Sequence, residues 1–180
     1  MVYSKNVFFW TIATVFILWA GCSYTGELHE VQGSTANGQA YLISYPDYMT
    51  AEKAGKLSPT AKVQYCNYFR NVYSVVVDTV KTDSTSFGQY AQQQTKQLIS
   101  LLQRPQKIDS TLIQIDGKRA IKVAYTGTVG KKQLTERIYY QLIFIEGKSN
   151  SYLVTLWTWD KWRKKYLADF DRITQSFKEK

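Results

Sequence analysis

Two side chains in this sequence have the chemistry that enzymes build on, the thiol of Cys66 and the imidazole of His29. A cysteine nucleophile needs a base within hydrogen-bond reach to hold it as thiolate. His29 is the single histidine of the 180 residues, and it lies in a polar, glycine-containing stretch remote from Cys66. The two are therefore not expected to pair. Cys66 reads instead as a buried strand residue, and His29 as a residue of an unstructured segment. Among the 14 Asp and Glu, Asp109, Asp116 and Glu146 fall near expected strand ends, but nothing in their spacing pairs two carboxylates for acid–base work. The glycines fall in turns rather than in a phosphate-cradling loop. No Cys or His spacing suits zinc, and no acidic loop suits calcium. The sequence thus predicts no catalytic residue, no metal and no cofactor.

The most distinctive chemistry outside that list is the run Trp157-Thr158-Trp159-Asp160-Lys161-Trp162-Arg163-Lys164-Lys165. Three indoles beside four cations suit a membrane interface or an anionic glycan. Trp159, Lys161, Arg163, Lys164 and Lys165 are the candidate interaction surface. The plainer reading puts Trp157 and Trp162 in the core and makes the cations a solvated helix face. Net charge is +9, but the basic residues are scattered, with short clusters at Lys131-Lys132 and Arg163-Lys164-Lys165. Binding to a nucleic-acid backbone wants a concentrated patch, so no nucleic-acid partner is expected.

The elements that must position these residues start after an apolar leader. Val7 to Ala20 is uncharged and follows Lys5. Its length suits a signal-peptide core and is short for a bilayer-spanning helix. Ala20-Gly21-Cys22 follows. This junction resembles the bacterial lipoprotein signal, in which an aliphatic residue and two small residues precede an invariant cysteine; here Trp19 stands where the aliphatic residue falls. The resemblance implies cleavage after residue 21 and diacylglycerol on the Cys22 sulfur. It also implies a membrane-held protein of the cell envelope, at the outer membrane facing the periplasm, since Ser23 and not Asp follows the cysteine. The alternative for the same segment is an uncleaved anchor. Ser23 to Gln39 lacks hydrophobic periodicity and reads as a flexible tether over 22–39.

Residues 40–180 read as a single α+β domain. Strands are expected at Tyr41 to Tyr45, Lys62 to Phe69 and Tyr73 to Lys81, with Pro46 ending the first. Ala51 to Thr60 reads as irregular. The period then changes to helical: Phe87, Ala91, Gln94, Leu98, Leu101 and Leu102 share a face, Ser84 or Ser86 can cap the start, and Pro105 stops the helix. Four strands follow, at Lys107 to Ile115, Arg119 to Val129, Leu134 to Ile145 and Ser151 to Trp159. They are joined at Asp116-Gly117, Gly130-Lys131 and Gly147-Lys148-Ser149-Asn150. A last helix, capped by Asp160, carries the stripe Trp162, Tyr166, Phe170, Ile173 and Phe177. Hairpin-length links and strands apolar on both faces predict an antiparallel sheet of about six to seven strands flanked by two helices, an α/β/α sandwich.

This order is similar to that of the PsbP/Mog1-like family. The similarity rests on the strand ending Tyr45-Pro46, the helix after a valine-rich strand, the Ile115-Asp116-Gly117-Lys118-Arg119-Ala120 hairpin, the long hairpin after it, and the final helix ending Ser176-Phe177. It implies a non-catalytic binding or accessory module for an envelope protein partner. It transfers no functional residues, because the shared positions are fold positions. The competing expectations are an envelope hydrolase of unknown substrate and a peripheral binder of membrane or anionic glycan through Trp157 to Lys165.

Overall fold

The computed structural model of the chain describes residues 26–80, 86–129 and 136–180. Cys22, the leader, the candidate cap Ser84 and the Gly130-Lys131 turn lie outside them. In chain order the elements are β1 (Leu28–Ser34), β2 (Ala40–Pro46), β3 (Thr50–Ala51), β4 (Val63–Asn67), β5 (Val72–Val80), α1 (Phe87–Leu101), β6 (Gln103–Ile115), β7 (Lys118–Thr128), β8 (Ile138–Glu146), β9 (Asn150–Trp159), a 3-10 turn (Asp160–Trp162), α2 (Arg163–Gln175) and β10 (Lys178–Glu179). The fold is α+β, with a seven-stranded antiparallel sheet ordered β3-β4-β5-β9-β8-β7-β6.

Strand β8 shows why the sheet is covered on both sides. Tyr139, Ile143 and Ile145 enter one buried cluster, and Leu142 and Phe144 enter another. Helix α1 covers the second face, setting Phe87, Tyr90 and Ala91 against Val123, Leu142, Phe144 and Leu153. It opens on a capping box in which Ser86 and Gln89 satisfy each other's backbone N–H groups. Helix α2 covers the first face. Its Tyr166, Phe170 and Ile173 are buried, as the spacing predicts; Phe177 is buried beyond the helix's end and Trp162 is partly buried in the 3-10 turn before it, so the helix is shorter than the stripe. The β6–β7 turn places Asp116 and Gly117 at φ 51° and 70°, a left-handed pair that Asp-Gly tolerates well.

Several expectations are corrected. The segment read as a tether contains β1, which pairs with β2 from Leu28↔Pro46 to Ser34↔Ala40. Its side chains are mostly exposed, so the strand is held by its backbone ladder and leaves no hydrophobic period to read. His29 therefore lies on a strand. Strand β2 does not join the seven-stranded sheet; with β1 and β10 it forms a three-stranded sheet beside α2, and its Tyr41, Ile43 and Tyr45 join the α2-side core. Helix α1 ends ahead of Pro105, with Leu102 as its extended cap. Pro105 lies in β6, an edge strand whose register breaks between Gln103 and Gln106, which is where a sheet accommodates proline. Leu101 is 69% exposed and is not part of the helix's buried face. Asp160 opens the 3-10 turn but makes no capping bond; its carboxylate lies 3.5 Å from Arg163.

Candidate functional site

The register of five strands builds a row that crosses the α1 side of the sheet. Cys66, Tyr73, Trp157, Tyr140 and Tyr125 stand opposite one another on β4, β5, β9, β8 and β7. The buried α1 contacts occupy the neighbouring rows around Leu142, Val123, Leu153 and Phe144, while Tyr73, Trp157 and Tyr140 remain half-buried. Tyr73 and Trp157 stack at 5.2 Å and 10°, and Trp157 and Tyr140 at 6.1 Å and 26°. Rings stacked along a cross-strand row form a continuous apolar strip that is only half-covered here. Burial pushes the Tyr140 phenol up to about 12, and it raises Tyr73 as well.

Beside the row lies a cleft of about 150 Å³ lined by Asn71, Tyr73, Ile138, Trp157, Thr158 and Trp159. A wider depression of about 300 Å³ is lined by Glu136, Arg137, Asp160 and Lys161, the last two following Trp159 in the chain. The Lys161 ammonium pairs with Glu136 at 2.5 Å and sits 5.4 Å and 5.3 Å from the Trp159 and Trp162 rings. At the same end of the sheet, the β4–β5 turn carries Tyr68, 50% exposed, and Phe69, 99% exposed. The Tyr68 hydroxyl donates to Glu52 at 2.6 Å, and the Arg70 guanidinium lies 4.5 Å from the Tyr48 ring.

The structure divides the five residues named from sequence. Trp159 lines the cleft, and Lys161 lines the wider depression. Arg163 turns to the opposite face, 5.6 Å from the buried Tyr139 ring, and Lys165 lies 5.3 Å from Tyr166. Lys164 is exposed on the helix between them. At 3.6 residues per turn, three successive cations cannot share a face. Trp157, read as core, is a half-exposed member of the row.

The remaining chemical candidates stand apart. Cys66 is 1% exposed, and burial pushes its thiol up from the usual range. Glu52 Oε2 lies 3.9 Å from its Sγ, and Tyr68 is another polar neighbour. His29 lies on the other side of the sheet, with its ring 5.6 Å from Tyr65. The adjacent residues Tyr65 and Cys66 point to opposite faces of β4, so the sheet separates imidazole from thiol. Asp116 and Glu146 each face a cation, Lys118 at 3.0 Å and Arg119 at 2.7 Å. Asp109 accepts from its neighbours Ser110 and Thr111. Among the described residues, no group of three or more His, Cys, Asp or Glu side chains is placed to hold a metal ion.

No family model and no curated sequence matches the chain. Solved structures do resemble it. LpqN, described as involved in cell envelope biogenesis of Mycobacterium tuberculosis, superposes with a TM-score of 0.60 at 11% identity, over 86% of this chain and 92% of its own. The cyanobacterial PsbP of Synechocystis sp. PCC 6803 gives 0.59 at 15% identity, over 88% and 97%. The Ran-binding protein Mog1p of Saccharomyces cerevisiae gives 0.56 at 10% identity, over 84% and 96%. Likeness at such low identity concerns backbone architecture and not side chains. It extends over most of each chain, and the domain therefore has the PsbP/Mog1-like α+β fold.

Proposed function

We propose that this chain is a lipid-anchored protein of the cell envelope whose domain works as a non-catalytic binding module, receiving a segment of an envelope protein at the aromatic row. The observation that carries the reading is the half-exposed Tyr73–Trp157–Tyr140 stack beside its cleft. At about 150 Å³ the cleft is smaller than the roughly 300–1,000 Å³ that encloses a whole small ligand, and it suits one anchoring side chain of a partner. Aromatic rings with a polar rim are the composition of protein interfaces. The rim here is Asn71, Glu136, Arg137 and Lys161. Two of the structural neighbours support the reading by their descriptions, one as an envelope protein and one as a Ran-binding protein.

Anchoring rests on the Ala20-Gly21-Cys22 junction. Two or three acyl chains would hold the domain stably where one would not. Fatty-acid labelling should mark the wild type and not Cys22→Ala; equal labelling would reject the anchor. The binding surface is tested separately by a photo-crosslinking residue at position 159, with Ser149 as a distant control. A discrete adduct from 159, absent from 149 and abolished by Ile138→Glu in a chain that keeps its melting midpoint, is the expected result. Equal adducts from both positions, or insensitivity to Ile138→Glu, would reject the surface.

A further inference from the structure

The β4–β5 turn displays Phe69 almost entirely to water, with Tyr68 half-exposed beside it and packed against the Tyr73 ring. A single exposed apolar residue is unremarkable, but a phenylalanine at the outermost point of a tight hairpin contributes nothing to packing. The backbone beneath it is held firmly. Asn67 accepts from the Arg70 N–H at 2.8 Å, its amide donates to the Tyr48 carbonyl at 2.6 Å, and Glu52 fixes the Tyr68 hydroxyl.

A second, independent observation concerns where the chain leaves the domain. The Glu27 carbonyl accepts from the Asp47 N–H at 2.8 Å, and the Gly26 carbonyl accepts from Arg172 at 3.1 Å. Asp47 adjoins Tyr48, which bonds Asn67 and carries Arg70 over its ring. The chain therefore emerges at the end of the molecule that bears Phe69. The opposite end holds the β8–β9 turn, since β5 runs from Val72 near the tip to Val80 opposite Asn150. Four peptide links separate Gly26 from Cys22. Fully extended, they reach at most about 14 Å.

We propose that the Tyr68-Phe69-Arg70 turn is a membrane-contact tip: Phe69 enters the interfacial layer of the bilayer to which the chain is anchored, and Tyr68 and Arg70 lie at headgroup level. The inference rests on the anchor reading of residues before Gly26 for its geometry. An aromatic ring with a phenol and a guanidinium around it suits the boundary between acyl chains and headgroups. The tether supplies the affinity, because it holds the tip at high effective concentration over the lipid. The tip supplies orientation, leaving the β8–β9 turn pointing away.

The test uses the full chain reconstituted in vesicles of phosphatidylethanolamine and phosphatidylglycerol, with an environment-sensitive fluorophore on Tyr68→Cys or on Ser149→Cys. The parent chain sets the labelling background from Cys22 and the buried Cys66. Brominated lipids should quench the fluorophore at 68 strongly and that at 149 hardly at all. Adding Phe69→Asp to the Tyr68→Cys chain should cut the quenching several-fold without changing the melting midpoint. Absent quenching at 68, equal quenching at both positions, or indifference to Phe69→Asp would each overturn the proposal. The mass of the purified chain reads acylation independently, so failure of the anchor and failure of the tip give different signatures.

Discussion

Cys66 illustrates how an environment disarms a reactive group. Its thiol is enclosed, its pKa is raised by burial, and its near neighbour is a carboxylate that disfavours thiolate further. Cys66→Ser is therefore expected to leave the crosslink from position 159 unchanged, and the wild-type thiol should resist alkylation until the chain unfolds. Loss of the crosslink in a folded Cys66→Ser chain, or rapid alkylation of the native protein, would contradict the structural role. The burial of Cys66 on a strand was legible from the sequence. The aromatic row was not. Ile138 and Tyr140 were assignable to one face by alternation, but their pairing with Trp159 and Trp157 depends on strand register, and their half-exposure depends on how far α1 reaches. Neither quantity is written locally in the chain. Phe69 was hidden for the converse reason: an aromatic at a strand end reads as core until the hairpin tip is located.

At the scale of elements, the 4, 4, 3, 4 spacing of Trp162, Tyr166, Phe170, Ile173 and Phe177 was sufficient to predict a helix lying on the sheet. Phe170 is fully buried and stacked 6.4 Å from Tyr139. Phe170→Ala should cost about 3–5 kcal/mol in chemical denaturation. A loss below about 1 kcal/mol would show a helix only loosely attached to the domain. Strand β1 is the opposite case, because most of its side chains are exposed and its evidence is backbone. Gly33 stands opposite Tyr41, and a Cβ there would overlap the tyrosine ring. Gly33→Ala should therefore destabilise the domain by about 1–3 kcal/mol through overpacking. In a flexible tether the same change would do nothing, so a urea titration separates the two descriptions.

The whole molecule carries a set of tyrosines whose protonation is tied to folding. Burial, the largest cause in each case, raises Tyr41, Tyr45 and Tyr152, and pushes Tyr139 and Tyr140 up to about 12. The folded chain keeps these protons after the unfolded chain begins to lose them, near the ordinary value of 10.0. Their contribution to stability is thus intact below about pH 10, falls as pH rises beyond it, and is exhausted only above the folded values. The urea midpoint should be nearly level to about pH 9 and clearly lower by about pH 11; a flat profile across that span would mean the phenols are hydrated in the native state. The last residues close this core. Phe177 packs against Tyr41 and Tyr152, β10 pairs with β2, and the Glu179 carboxylate accepts from the Tyr152 hydroxyl at 2.9 Å and from the Lys148 N–H at 3.0 Å. Contacts of such long sequence separation form late and slowly. The α2-side core can therefore close only after synthesis has passed Glu179. Under the envelope location proposed above, that delay would leave the polypeptide open enough to be threaded through a translocation pore.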